Sequence, residues 1–142
     1  APEFTLVKSD FKVHSLSDFK GQKVVLNIFP SVDTGVCSAS VRHFNKDAAG
    51  LKNVTVLCIS RDLPFAQARF CGAEGIENVI MLSDYKTGKF GRDYQLEIMD
   101  GKFETLLSRV VIILDEQGRV VYTEQVPEIG QEPNYEAALK NL

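Results

Sequence analysis

The sequence predicts an α/β fold in which helices flank a central mixed sheet of mostly parallel strands. Strand-like and helix-like segments alternate along most of the chain. The strand-like runs are continuously apolar, which is typical of parallel strands that are covered on both faces. Near the end, the turn signal Asp115-Glu116-Gln117-Gly118 separates two strand-like runs and predicts a hairpin that adds an antiparallel edge.

Each predicted element has a local signal. Apolar runs predict strands over Lys23–Phe29 and Val54–Ser60, and the helix between them is expected to be closed by Gly50. Pro64 suits the first turn of the next helix. The other predicted elements are helices over Thr34–Ala49, Leu63–Cys71, Lys89–Tyr94 and Tyr135–Leu142, and strands over Asn78–Leu82, Val110–Leu114 and Arg119–Glu124. This order is the thioredoxin-like arrangement, and we expect residues 1–142 to form one domain.

Composition excludes several classes of function. The 142 residues are 44% hydrophobic and 25% charged, as in an ordinary soluble domain. A formal net charge of −3 offers no basic face for nucleic acid, and no apolar run approaches the ~20 residues of a membrane span. Ala1-Pro2-Glu3-Phe4 shows no signal-peptide pattern, so we expect a cytoplasmic protein. A processed terminus would look the same, which leaves the periplasm open.

The segment from Pro30 to Cys37 carries the strongest chemical signal. With Thr34 as N-cap, Cys37 stands in the first turn of a helix, where free N–H groups and the helix dipole favour an anion. Thiols at helix N-termini ionise far more readily than free cysteine, so we expect Cys37 to be a reactive thiolate. Its spacing to Val41 and Phe44 places it on the inward face of the helix, at the carboxyl end of the first predicted strand.

The other cysteines differ in their settings. Cys71 lies on the helix after the second predicted strand, whereas Cys58 lies within that strand among apolar neighbours and is expected to be buried and inert. Three widely spaced cysteines do not suggest a disulfide scaffold. Because His14 and His43 are far apart and no Cys-x-x-Cys pair occurs, we expect neither a metal nor another cofactor.

Several stretches resemble the peroxiredoxins, and most closely their bacterial thiol peroxidase subfamily. They are Leu26 to Cys37, Leu57 to Ser60 with Asp62 to Gln67, Arg69 to Gly75, and Glu132 to Leu139. The resemblance spans nearly the whole chain. It implies an enzyme that reduces hydrogen peroxide and organic (alkyl) hydroperoxides, is recycled by thioredoxin, and forms a homodimer.

The resemblance also implies residue roles. Cys37 matches the peroxidatic cysteine, which becomes a sulfenic acid, and Cys71 matches the resolving cysteine, which joins it in an intrachain disulfide of the atypical two-cysteine type. Thr34 matches the residue whose hydroxyl hydrogen-bonds the thiolate and the peroxide, and Pro30 the residue that shields the sulfur from water. Arg109 matches the arginine that stabilises the thiolate and orients the peroxide; its charge is permanent. Arg42 is the other candidate arginine, but the motif favours Arg109.

A disulfide needs Cα atoms within about 7 Å, so two cysteines on separate helices are not expected to meet in the reduced fold. We therefore expect local unwinding around Cys71, helped by Gly72 and Gly75. Two departures from the subfamily stand out. Its members start earlier than Ala1, with a β-hairpin that is absent from this sequence through trimming, disorder or omission, which is expected to reduce stability. The segment from Asp100 to Leu107 does not follow the subfamily's pattern.

Three other interpretations use the same residues. A thiol–disulfide oxidoreductase predicts a second cysteine three positions after Cys37 and a proline before Val110, but the chain has Ser40 and Arg109 there. A peroxide sensor would pass its disulfide to a partner protein. A pure interaction module would leave the spacing of Thr34 and Cys37 without a reason.

Overall fold

Seven strands form one mixed sheet in the computed structural model, which describes residues 1–128 and 130–142. The strands are β1 (Thr5–Lys8), β2 (Val13–Ser15), β3 (Lys23–Ile28), β4 (Val54–Ser60), β5 (Ile80–Ser83), β6 (Val110–Leu114) and β7 (Val120–Gln125). Their order across the sheet is β2-β1-β5-β4-β3-β6-β7. The helices are α1 (Gly35–Ala48), α2 (Pro64–Glu74), α3 (Lys89–Asp93) and α4 (Tyr135–Leu139), with a 3-10 turn over Leu16–Phe19. The α/β class and the thioredoxin-like order are confirmed.

The expectation of mostly parallel strands is wrong. Within the described residues, only β3–β4 and β4–β5 pair in parallel, and the other four pairings are antiparallel. Parallel neighbours need a long crossover, which α1 and α2 supply at those two places. Strands β6 and β1 instead lie antiparallel beside β3 and β5, and each is followed in the chain by a hairpin partner, β7 and β2 respectively.

No local signal in the sequence predicts the hairpin of β1 and β2. Its strands have four and three residues, which is too short for a clear alternation of apolar and polar side chains. Its turn contains Phe11 with a φ of 67° rather than a glycine. A bulky residue with positive φ is uncommon, so the turn lacks the usual hairpin signal.

The helix ends differ from the predictions by a few residues. Helix α1 is capped at its C-terminus by Ala49 in a right-handed conformation, so Gly50 does not close it with a left-handed turn. Helix α2 continues three residues beyond Cys71 to Glu74 and ends where Gly75 adopts a φ of 65°. Glycine is favoured at such a left-handed cap.

Two apolar clusters cover the two faces of the sheet, because successive residues of a strand point to opposite sides. On one face, Leu26 and Ile28 of β3 pack with Phe90 of α3. On the other face, α1 buries Cys37 and Phe44 against the central strands. The reactive helix is therefore held by the core itself. Across the described residues, no helix is both long and apolar enough to cross a membrane.

Candidate active site

The turn from Pro30 to Thr34 connects β3 to α1 and fixes the start of that helix. Thr34 is the N-cap, with extended backbone angles (φ −96°, ψ 147°), and its Oγ1 accepts a hydrogen bond of 3.3 Å from the backbone N–H of Cys37. Its hydroxyl donates to the carbonyl of Ser31 at 3.2 Å. Threonine suits this position because its side-chain oxygen satisfies a helix N–H that has no partner within the helix. The turn thus fixes Cys37 in the first turn of α1.

Cys37 and Arg109 meet in the interior. Arg109 immediately precedes β6, which pairs with β3 in a register that sets Val110 opposite Ile28. Because β3 leads into the Pro30–Thr34 turn, this register brings the guanidinium to the start of α1. The Nη2 of Arg109 donates a hydrogen bond of 3.3 Å to the Sγ of Cys37. Cys37 is fully buried and Arg109 is only 2% exposed, so the permanent positive charge of the guanidinium faces the sulfur directly, away from bulk water.

A small cavity of about 140 Å³ lies at this place. It is lined by Pro30, Thr34, Gly35, Val36, Phe103, Arg109 and Gly130. Most of these residues offer carbon surface, whereas the guanidinium of Arg109 is charged. A cavity of this size holds a small group, since one water takes about 30 Å³ in the liquid. Phe103 was not singled out from the sequence, and it lies within the segment that departs from the subfamily's pattern.

The hydrogen bonds of Thr34 differ from those that the resemblance implies. Its hydroxyl proton goes to the carbonyl of Ser31, and its oxygen receives the backbone N–H of Cys37 rather than facing the sulfur. A hydroxyl carries one proton, so a bond from Thr34 to the thiolate or to a peroxide requires that it turn away from Ser31.

Arg42, the other candidate arginine, lies on the outer surface of α1. Its side chain is 47% exposed and pairs with Glu74 of α2 at 2.7 Å. A second exposed pair, Arg69 with Asp33 at 3.0 Å, joins α2 to the turn that precedes α1. Arg69 and Glu74 lie on either side of Cys71 along α2, and exposed pairs of this kind contribute little to stability.

Cys71 is a free thiol within intact helix. It is half-buried, packs against the same apolar cluster as Cys37, and burial raises the pKa of its thiol. Its carbonyl accepts from the backbone N–H of Ile76 at 3.0 Å, which anchors the helix end. Cys37 is also a free thiol. The structure therefore describes both proposed partners in reduced form.

Cys58 is completely buried in β4, as predicted. Burial raises the pKa of its thiol to about 12, although the side-chain N–H of Asn27 approaches the sulfur at 3.6 Å. A thiol that stays protonated at neutral pH is a poor nucleophile. Ser40, where a thiol–disulfide oxidoreductase would have its second cysteine, is fully buried and donates to the carbonyl of Cys37 at 2.8 Å.

One acidic residue at the site had no predicted role. Asp62 follows β4, and its carboxylate accepts from the Ser31 hydroxyl at 2.7 Å, the Val32 backbone N–H at 2.9 Å and the Ser60 hydroxyl at 2.6 Å. The sequence does place a carboxylate directly after a buried strand. Only the fold reveals that it faces the Pro30–Thr34 turn, about thirty positions earlier in the chain.

Metal-binding clusters were sought wherever side chains are described. In residues 1–128 and 130–142, no group of three or more histidine, cysteine, aspartate or glutamate side chains is placed to hold a metal ion. His43 pairs with Asp47 at 3.2 Å and stacks on the ring of Tyr135 at a centroid distance of 3.7 Å. This histidine therefore packs α4 onto α1 and lies in a surface contact.

Comparison with known proteins assigns the whole chain to a protein family. The family model described as Redoxin matches residues 1–139. The chain belongs to the redoxin family. It is 56% identical over 142 residues to a thiol peroxidase from Mycobacterium tuberculosis, covering 100% of this chain and 85% of the relative. A thiol peroxidase from Corynebacterium glutamicum is 55% identical over 140 residues, covering 99% and 84%. The resemblance to peroxiredoxins of the thiol peroxidase subfamily is thereby confirmed.

Solved structures agree with this redoxin assignment. A peroxiredoxin-like protein from Aquifex aeolicus superposes with a TM-score of 0.94 at 38% identity, covering 99% of this chain and 81% of that one. A thiol peroxidase from Chromobacterium violaceum reaches a TM-score of 0.90 at 21% identity, with the same coverage. At that lower identity the second likeness concerns the fold alone.

Proposed function

We propose that this redoxin chain is a thiol-dependent peroxidase in which Cys37 attacks hydrogen peroxide and organic hydroperoxides. The observation that carries the proposal is the 3.3 Å hydrogen bond from Arg109 Nη2 to the buried Cys37 Sγ. A permanent cation against a cysteine in the first turn of a helix is the setting in which a thiol becomes a thiolate nucleophile. The adjacent cavity gives a small peroxide room to approach, and its apolar walls suit an alkyl substituent.

The first step is a displacement at oxygen. The Cys37 thiolate forms an S–O bond with the terminal peroxide oxygen while the O–O bond breaks, and the leaving oxygen takes a proton to become water or an alcohol. Cys37 is oxidised to a sulfenic acid. Negative charge moves from sulfur to the leaving oxygen, so the guanidinium of Arg109 stabilises both ends of the step. Pro30 forms a wall without a hydrogen-bond donor and limits water, while Thr34 holds the backbone of Cys37.

The second step joins Cys71 to Cys37. The Cys71 thiol attacks the sulfenic sulfur, a disulfide forms within the chain, and water leaves. Thioredoxin then supplies two electrons through its dithiol and restores both thiols. Since Cys37 is fully buried and Cys71 lies within helix α2, the step requires part of α2 to unwind. Gly72 reduces the cost of that unwinding, because glycine is a poor helix former, whereas Gly75 lies just beyond the helix as its left-handed cap.

The proposal includes a homodimer, a cytoplasmic location and a single domain over residues 1–142. The subfamily resemblance supports the dimer. The bacterial origin of the thiol peroxidase relatives supports the location. One continuous sheet running through the described residues supports the single domain.

The test is peroxide consumption by single-cysteine variants. Cys37→Ser is expected to abolish turnover of hydrogen peroxide and cumene hydroperoxide with thioredoxin and its reductase. Cys71→Ser is expected to keep the first turnover and lose thioredoxin-driven recycling. Cys58→Ser serves as the matched control and is expected to retain activity. Full activity in Cys37→Ser would exclude the mechanism. A sensor function would instead appear as partner oxidation that outpaces thioredoxin-driven turnover.

A further inference from the structure

We infer that Asp62 is a positioning residue for the peroxide-reducing step: its carboxylate holds the Pro30–Thr34 turn and through it the reactive start of α1. The inference rests on the proposed function of Cys37. Asp62 is not among the residues that line the cavity beside Cys37. Its effect on Cys37 must therefore pass through the Pro30–Thr34 turn. Asp62 bonds to this turn and also to the neighbouring strands β4 and β5.

On the side of the turn, two hydrogen bonds converge on one carboxylate. The Ser31 hydroxyl donates to Oδ1 of Asp62 at 2.7 Å, and the Val32 backbone N–H donates to Oδ2 at 2.9 Å. Hydrogen bonds to an ionised acceptor are about twice as strong as neutral ones. These are the contacts that tie the middle of the Pro30–Thr34 turn to the loop after β4.

On the other side, Asp62 is itself held from several directions. The Ser60 hydroxyl donates to Oδ2 at 2.6 Å, and the Ser83 hydroxyl donates to the carbonyl of Asp62. Ser60 in turn receives the side-chain N–H of Gln67 at 3.2 Å, and both Ser60 and Gln67 are fully buried. The carboxylate is thus fixed to β4, β5 and α2 and can act as a rigid anchor for the turn.

From Ser31 the constraint continues to Cys37 in two steps. The carbonyl of Ser31 accepts both the backbone N–H of Thr34, at 3.3 Å, and its hydroxyl, at 3.2 Å. Thr34 Oγ1 then accepts the N–H of Cys37. A shift of Ser31 therefore moves the cap of α1, and with it the sulfur relative to Arg109. Small displacements of reacting groups are costly for catalysis.

The chain offers a matched control on the same turn. Asp33 is also a carboxylate, but its side chain is 63% exposed and pairs with the exposed Arg69. Exposed pairs contribute little, so Asp33→Asn removes the same charge without loosening the turn. In Asp62→Asn, by contrast, the three bonds lose their charged acceptor, and the bond to Ser31 survives only if its hydroxyl turns from donor to acceptor.

The experiment measures the two half-reactions separately, using tert-butyl hydroperoxide and dithiothreitol as probes. In Asp62→Asn and Ser31→Ala, kcat/KM for the peroxide is expected to fall about tenfold. The kcat/KM for dithiothreitol should stay within twofold in both variants. The double variant is expected to fall no further than the worse single variant, because both changes break the same link. Asp33→Asn is expected to stay within twofold for both probes.

A second readout separates this inference from the proposed function. Alkylation of Cys37 by iodoacetamide needs no peroxide, and its rate is expected to fall in Asp62→Asn and Ser31→Ala but not in Asp33→Asn. Three results would overturn the inference. In Asp62→Asn and Ser31→Ala, these are a peroxide kcat/KM within twofold of the parent, or an equal loss of kcat/KM for peroxide and for dithiothreitol. In the double variant, it is a loss equal to the product of the two single losses. If thermal melting shows that Asp62→Asn does not fold, the inference is judged on Ser31→Ala alone, by the same criteria.

Discussion

Replacing Arg109 by methionine removes the charge that faces Cys37 while keeping an unbranched side chain. Arg109 is 2% exposed and its Nη2 lies 3.3 Å from the Cys37 sulfur, so water does not take its place easily. A nearby cation favours the ionised form of a thiol. The variant is therefore expected to lose both the cation that faces the attacking sulfur and a donor for the leaving oxygen.

The magnitude follows from the type of bond that is lost. A hydrogen bond to a charged group contributes about 1.5–3 kcal/mol, and each 1.36 kcal/mol is tenfold in rate. We expect the second-order rate constant of Cys37 with peroxide to fall roughly 10- to 150-fold in Arg109→Met. Arg109→Lys keeps the charge but loses the planar fork, and an intermediate rate is expected.

The assay is a single turnover with peroxide in stopped flow at pH 7, with thermal melting as a check on folding. The matched control is Arg42→Met, which removes an arginine from the exposed face of α1, where it pairs with Glu74. This control is expected to stay within twofold, because exposed pairs contribute little. A folded Arg109→Met protein that reacts within threefold of the parent, or no more slowly than the control, would refute this reasoning.

Three further outcomes follow from the helix, the strand and the core. In Gly72→Ala the new Cβ meets no atom within 4 Å, and the change is expected to stabilise α2 by about 0.5–1 kcal/mol. Disulfide formation, followed by mass spectrometry, should therefore slow about two- to fivefold. The control Gly50→Ala, which lies outside the helix, should leave that rate unchanged. Because burial raises the pKa of Cys58 to about 12, iodoacetamide at pH 8 should leave Cys58 unlabelled until denaturant is added; native labelling would contradict this. In Gly91→Ala the new Cβ would lie 2.7 Å from Leu107 Cδ2, so the free energy of unfolding in urea should fall by about 1–3 kcal/mol. An unchanged urea midpoint would contradict this.

Local signals predicted the start of helix α1 well. A hydroxyl residue three positions before Cys37, at the junction of an apolar run and a helix, predicts a cap and a thiol in the first turn, and the structure has Thr34 and Cys37 there. These features depend on a few neighbouring residues, so the sequence contains them. Arg109 came from the motif, and the antiparallel pairing of β6 with β3 explains physically why it reaches the sulfur.

Features that depend on distant pairing were missed. The direction of β6 beside β3 and the addition of β1 beside β5 follow from how the connections cross the sheet, and a local apolar pattern does not encode them. The same holds for Asp62 and Phe103. Each reaches the active site from a loop far along the chain, and neither carries a motif for that role.

The central claim is that peroxide oxidises Cys37 and that Cys71 then joins it within the same chain. One measurement tests both parts: peptide mapping by mass spectrometry after adding one equivalent of hydrogen peroxide to the reduced protein. We expect a disulfide-linked Cys37–Cys71 peptide from monomeric chains, with Cys58 still a free thiol. A disulfide between two chains, a Cys58 disulfide, or an unmodified Cys37 after the peroxide is consumed would contradict it.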